Sequence, residues 1–290
     1  MEKPPLLNIL VESDERRKKI IKKIQEITEH KLIVYTANLN ISPNSIDHND
    51  IRFFNDLLQS IKIEGKIDLM ISSPGGEPNA AEKIAMMCRE YCDTFRVIVP
   101  NYAKSAATMI ALATDSILMG YLSEIGPIDP QIRIVTPRGT QYIPAQSVID
   151  SVKGLQKQII AGVPPVAIIP LLQQIEPPVI DLCLKAIEFS RQFAERWLSK
   201  YMLRHDPEKA KQTAKDLSDN TKWLSHGKII NKEEAKALGL RIEEMPKDSE
   251  LWKLVWELYC RSEHRLNIEK AVKMYENENH QFLLHMEKIP

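Results

Sequence analysis

The sequence predicts an α/β fold built on a mostly parallel central sheet. Three observations carry this: short apolar, β-branched runs at 31–38, 66–73, 95–100 and 116–120; stretches of helical period between them; and a Pro-Gly-Gly break closing the second run. Alternating strands and helices join by right-handed crossovers. Every strand-to-helix turn then falls at one edge of the sheet, where α/β sites gather. The turns "SSPGG" and "NYAKS" should therefore be spatial neighbours.

The elements follow in order. Residues 14–29 form an amphipathic helix, with Ile20, Ile21, Ile24 and Ile27 on one face and charges elsewhere. "KLIVYTAN" is a strand, and "NDIRFFNDLLQSI" is a helix. "KIDLMISS" is a strand apolar enough to be covered on both faces. A helix at 79–92 opens after "PGG", strand 95–100 follows, and helix 105–114 leads to strand 116–120. Residues 133–144 read as a short strand or hairpin before a helix at 145–158. The proline-punctuated "AGVPPVAIIPLLQQIEPP" reads as a flap or intersubunit segment. Helices follow at 179–203 and at "DPEKAKQTAKDLSD", then a small unit at 221–246 with Gly239 as C-cap. "DSELWKLVWELYCRSE" is amphipathic, and the last stretch, from Glu276, is expected to be loosely ordered. The organisation is then an N-terminal helix at 1–30, a core at 31–203, a helical extension at 204–246 and a C-terminal helical tail at 247–290.

The bulk numbers exclude more than they assign. The 290 residues are 43% hydrophobic and 27% charged, enough for one large domain with appendages. Basic and acidic residues number 39 each, which gives no whole-molecule case for nucleic acid. Cys88 and Cys92 share a helix face, but their spacing is not CxxC and no histidine pair completes a metal site. Core packing is the reading for them, and no metal or cofactor is expected. The N-terminus lacks the order of a signal peptide, and no run reaches the ~18 apolar residues of a membrane span. A soluble, cytoplasmic chain is the expectation. Peripheral membrane contact through the basic N-terminal helix is a second use for that helix.

Two turns could carry chemistry. The glycines of "PGG" let backbone approach a ligand, with N–H groups aimed where a negative oxygen would sit. The alternative is a tight turn needing positive φ. Ser105 ends a strand-turn and opens a helix, as a nucleophile does, and the Ala106 N–H is a natural second donor. The alternative is a simple N-cap. Taken together, donors on one turn and a hydroxyl on the other are what acyl transfer needs.

In "ISSPGGEPNAAEKIAMMC", "VIVPNYAKSAATMIALATDSILM", "IGPIDPQI" and the later "KEEAKALGL", with Trp223 and His226, the chain resembles the serine dehydrogenase proteinase family. That family has the Clp protease/crotonase fold and is related to signal peptide peptidase A. The resemblance covers about residues 16–245. It implies a serine peptidase with Ser105 as nucleophile and an oxyanion hole made by Gly75 or Gly76 together with Ala106. Pro74, Tyr102 and Asp129 become candidate substrate contacts. The chain departs from the family where Ala106-Ala107 follow the serine and where Lys104 replaces a methionine. Lys104, adjacent in a turn, points away from Ser105.

The base is open at this stage. Asp129, not a histidine, stands some two dozen residues after the serine. Lys153 has suitable order and spacing, Lys185 has the most apolar local sequence, and Lys157 is a weaker choice. Any lysine base must be desolvated to lose its proton near neutral pH. His226 reads as structural or as a subunit contact. The implied partners are a peptide or protein substrate and further copies of the chain. A weak or inactive peptide-binding scaffold and a crotonase-like acyl-CoA enzyme are the alternatives.

Overall fold

The computed structural model describes residues 14–62, 64–136 and 139–286. Residues 1–13, on which the reading of the N-terminus rests in part, lie outside the described residues.

A seven-stranded sheet forms the centre. Its parallel part comprises β1 (Lys31–Ala37), β2 (Gly65–Ser72), β3 (Cys92–Val99), β5 (Ser116–Met119) and β9 (Ile242–Glu244). Two further strands, β10 (Ala271–Glu276) and β11 (Gln281–His285), add antiparallel beyond β1. Short pairs, β4 (Tyr102–Ala103) with β6 (Glu124–Ile125) and β7 (Gln131–Thr136) with β8 (Gly139–Pro144), stand beside it.

Strand residues alternate between two apolar layers, as the period of two requires. Ile33, Leu69, Val97 and Ile117 face a layer containing Phe54 of α2 (Asp50–Gln59), Ile84 of α3 (Pro78–Glu90), Ile110 of α4 (Ala106–Leu112) and Phe193 of α7 (Pro177–Lys200). Leu32, Met70, Ile98 and Leu118 face the other layer, with Ile20 and Ile24 of α1 (Asp14–Thr28) and Trp252 and Val255 of α11 (Glu250–Glu269). Covered faces on both sides explain the near-continuous apolar reading of the strands. Ile20, Ile21 and Ile24 of α1 are thereby buried in the domain core, while Ile27 on the same helix is exposed.

The C-terminus departs from expectation. The expected helix is present as α11 (Glu250–Glu269), but the described residues after it are neither helical nor loose: β10 and β11 extend the sheet, and Asn277 closes their hairpin by accepting from the His280 N–H. The strand signal in "AVKMYE" was broken by Lys273 and Glu276, which are buried because each has a charged partner.

After β8 the chain leaves the sheet as an arm: α5 (Ala145–Ile160), α6 (Pro165–Leu172) and the first half of α7. Ile160, Val166, Leu182 and Leu184 are exposed along it. No single helix among the described residues is long and apolar enough to cross a membrane. The helix α8 (Pro207–Ser218) packs on α7, with α9 (Asn220–Trp223) and α10 (Lys232–Ala237) following; Gly239, at φ +97°, ends α10 as expected. Cys88 is buried in the main core and Cys92 donates its thiol to the Cys88 carbonyl, so this pair is packing.

Candidate functional site

The two turns meet. Ser73, just past β2, donates its N–H to Tyr102 O at 3.1 Å and accepts from the Lys104 N–H at 3.0 Å. Ser105 follows at once with φ 49° and ψ −117°, a sparsely populated conformation for a residue with a side chain. Such strain costs on the order of 1–3 kcal/mol and persists only where the surroundings enforce it. Its side chain makes no cap hydrogen bond to α4, so the simple N-cap reading fails. Among the described residues nothing hydrogen-bonds its hydroxyl, and the residue is half-buried.

Both glycines are steric requirements. A Cβ on Gly75 would lie 2.6 Å from Lys104 O and 2.7 Å from Ser105 Cβ. A Cβ on Gly76 would lie 2.2 Å from Ile46 O. Gly75 and Gly76 also have φ values of 102° and 152°, open mainly to glycine. Ile46 docks alongside as a single rung: its N–H donates to Gly75 O at 2.7 Å, and its carbonyl accepts from the Glu77 N–H at 2.8 Å. The Gly75 N–H donates to Ser73 Oγ at 3.1 Å. That leaves the exposed Gly76 N–H and the Ala106 N–H, for which no acceptor exists among the described residues. Two such donors flanking a strained serine are the elements of an oxyanion hole.

A buried ionic cluster supports the Ile46 segment. Lys273, 1% exposed, donates to Asp47 at 2.9 Å and to Asp50 at 2.7 Å. Asp50 also accepts from Tyr275 at 2.5 Å and from the Asp47 N–H at 3.0 Å. Burial pushes the Asp47 carboxyl up, but the Lys273 and Asn49 donors outweigh it and hold the group below its ordinary value. Sequence reasoning missed this cluster, since the two carboxylates lie 223 or more residues from the Lys273 and Tyr275 that donate to them. Thr108 was also missed. Its hydroxyl donates to Ala103 O at 2.6 Å and accepts from the Gly126 N–H, tying the serine turn to the loop after β6.

The remaining expected residues divide. Lys104 turns away from Ser105 to Glu124 and to the carbonyls of Ile125 and Lys228. Tyr102, expected as a substrate contact, is 6% exposed, and burial pushes its phenol up to about 12. Asp129, also expected as a substrate contact, is likewise buried. It is 1% exposed, accepts from Asn220 Nδ2 at 3.0 Å, and lies 2.8 Å from His226 Nδ1. Pro74 stays half-buried beside the glycines. Lys153, Lys157 and Lys185 are all exposed, and Lys185 pairs with Asp181 at 2.6 Å. Within this chain none has the apolar surroundings a lysine base requires, because the arm that carries them projects from the core. No His, Cys, Asp or Glu cluster able to hold a metal occurs among the described residues.

Residues 13–275 match the family described as ClpP-like SDH-type serine proteinases. Two uncharacterized proteins of Methanocaldococcus jannaschii are similar in sequence. One is 35% identical over 193 residues, covering 65% of this chain and 58% of its own length. The other is 31% identical over 190 residues, covering 64% and 56%. The matched region thus spans less than two thirds of those relatives. Among solved structures, the 1510-N membrane-bound stomatin-specific protease is 16% identical with a TM-score of 0.45, covering 72% of this chain and 79% of its own. ClpP1 from Listeria monocytogenes is 16% identical with a TM-score of 0.40, covering 76% and 95%.

Proposed function

Because the chain belongs to the ClpP-like SDH-type serine proteinases, we propose that it hydrolyses peptide bonds through an acyl-enzyme on Ser105. The observation that carries this reading is the strained Ser105 backbone, held by Gly75 against the serine turn, with no capping role for the hydroxyl. The carbonyl oxygen of the scissile bond would sit between the Gly76 and Ala106 N–H groups. Gly75 is the weaker donor because Ser73 already engages its N–H. A lysine base, Lys153 or Lys185, would need a neighbouring subunit to desolvate it. The exposed apolar side chains of the arm support self-association as the setting for such burial.

A fluorophosphonate probe tests the reading. Wild type should be labelled at Ser105, and Ser105→Ala should not. Tight acyl-CoA binding with no labelling would replace the peptidase by a crotonase-like enzyme.

A further inference from the structure

The central sheet ends in two edges of different character. From that difference we propose that β11 is a docking edge for a second copy of this chain, the two β11 strands pairing antiparallel about a two-fold centred on Leu283. The inference is independent of the reading of Ser105. The β9 edge is blunted in the way edge strands usually are. It is three residues long, Glu244 is held by Lys232 and Lys236, and Glu243 by Arg96 at 3.1 Å. β11 has none of these devices. Its five residues, "QFLLH", include no proline, lysine, arginine or acid. No strand among the described residues pairs with its outer side.

Alternation identifies the groups that point outward. The Asn277 N–H donates to His280 O at 2.9 Å, so His280 is bonded inward, to its own hairpin. Bonded and non-bonded residues alternate along an antiparallel pair. The register runs evenly from Glu276–Gln281 to Lys273–Leu284. Phe282 and Leu284 therefore bond to β10, and Gln281 and Leu283 turn their N–H and C=O groups to the open side. A two-fold through Leu283 pairs it with Leu283 of the partner subunit, and Gln281 with His285 of the partner subunit. Phe282 then stands across from Leu284 of the partner subunit, an apolar pair of the kind that stabilises sheets. No like charges face each other along the strand.

Both apolar layers reach this edge. On one face the Phe282 ring lies 5.7 Å from Phe53 of α2, and on the other Leu283 packs against the cluster of Leu266, Ala271 and Met274. The two-fold stands perpendicular to the sheet, so the two α2 helices lie on the same side of the joint and run in opposite directions. Arg52, laid over the Phe53 ring, and Asp56 are exposed on α2, one turn apart, and neither has an ion-pair partner among the described residues. Opposite charges so spaced suit a reversed copy, in which Arg52 can face Asp56 of the partner subunit; an interface of this symmetry must be self-complementary. The parallel strands of the two copies also run opposite ways. Their Ser105 turns, at the carboxyl ends of the strands, then open on opposite edges of a sheet with seven strands from each copy, and neither obstructs the other.

The experiment is light scattering on the full chain carrying Val166→Asp, which puts a charge on the exposed arm and so removes arm contacts from the reading. This protein should have the mass of two chains. Adding Gln281→Pro removes an outward N–H, a change that an edge strand tolerates; the mass should halve with the thermal melt little changed. Leu283→Cys tests the register. A bonded antiparallel pair holds its Cα atoms about 5.5 Å apart, within the span of a disulfide. Mild oxidation should yield a cross-linked dimer whose peptide map joins position 283 to position 283. If Gln281→Pro lowers the melt, this cross-link decides. A two-chain mass that survives Gln281→Pro with an unchanged melt overturns the inference, as does the absence of a 283–283 cross-link. A one-chain mass for Val166→Asp overturns it too, and slow hydrogen exchange at the Leu283 amide in that monomer would assign the edge to a segment of the same chain.

Discussion

Around Ser105 the chain is stitched together across long sequence distances, whereas along the arm of α5, α6 and the first half of α7 it is stitched mainly to itself. The serine turn is bonded to the end of β2, to the loop after β6 and to the segment at Lys228. The glycine turn is bonded to Ile46, which a buried cluster rooted in β10 supports from beneath. The arm instead leaves Ile160 86% and Val166 77% exposed, and its ion pairs, such as Asp181–Lys185, are local and solvated. The difference teaches which part of the molecule is complete by itself. The strained serine needs a scaffold that over-determines it, and the core supplies one. The arm offers apolar surface that the described residues leave uncovered.

The comparison breaks first if the buried cluster can be dismantled cheaply. Lys273→Met removes the cation shared by Asp47 and Asp50 and leaves Asp50 buried without its countercharge. Removing one partner of a buried ion pair costs about 3–5 kcal/mol. The expected outcome, read by denaturant unfolding, is a loss of that order together with slower labelling of Ser105. A loss below about 1 kcal/mol would show that the Ile46 segment stands without the cluster.

Next comes the glycine turn. Gly76→Ala places a Cβ against the Ile46 backbone and would displace the N–H that we propose faces the oxyanion. Loss of one oxyanion donor costs about 10²–10³-fold in kcat. Peptide hydrolysis should fall by that factor.

Much of this region was legible in the sequence. "PGG", Ser105 and the apolar strands announce themselves locally, because a turn needing positive φ and a doubly covered strand each leave a mark on adjacent residues. That the two turns touch followed from topology alone. The supports were not legible. Lys273 and Glu276 looked like surface residues, since nothing near them in sequence shows the Asp50 or Arg17 that neutralises them. Asp129 and His226 were noticed separately, but their pairing is a property of the fold. The exposure of the arm's lysines was not legible for the converse reason: apolar neighbours in a helix, such as Leu182 and Leu184 beside Lys185, do not bury a residue when the helix face is open.

A pH-dependent contrast sharpens the account of the core. Asp68 lies buried in β2 between His30, at 3.1 Å, and Arg96, which grips both its oxygens. Burial pushes its carboxyl up, but the His30 and Arg96 contacts outweigh that and hold it below the ordinary aspartate value. A depressed folded-state value means stability is present above the unfolded value, about 3.9, and is lost as pH falls through the folded one. Asp68→Asn should therefore destabilise by about 1–3 kcal/mol near neutrality. The gap to wild type should narrow as the pH drops below about 4. A pH-independent gap would mean that packing, not charge, is what the substitution disturbs.

The smallest effect on stability belongs to the arm. Val166→Asp places a charge on a side chain that meets solvent, so unfolding should shift by no more than about 0.5 kcal/mol. If the arm joins copies of the chain, the same change introduces a charge into the joint and should lower the mass seen by light scattering. Its effect on Ser105 labelling then separates two designs. A site complete within one chain keeps its labelling rate when the assembly dissociates; a site that borrows a desolvated lysine from the joint loses it. Because Lys153 and Lys185 are exposed within one chain and need a neighbouring subunit to desolvate them, labelling should fall in the dissociated protein.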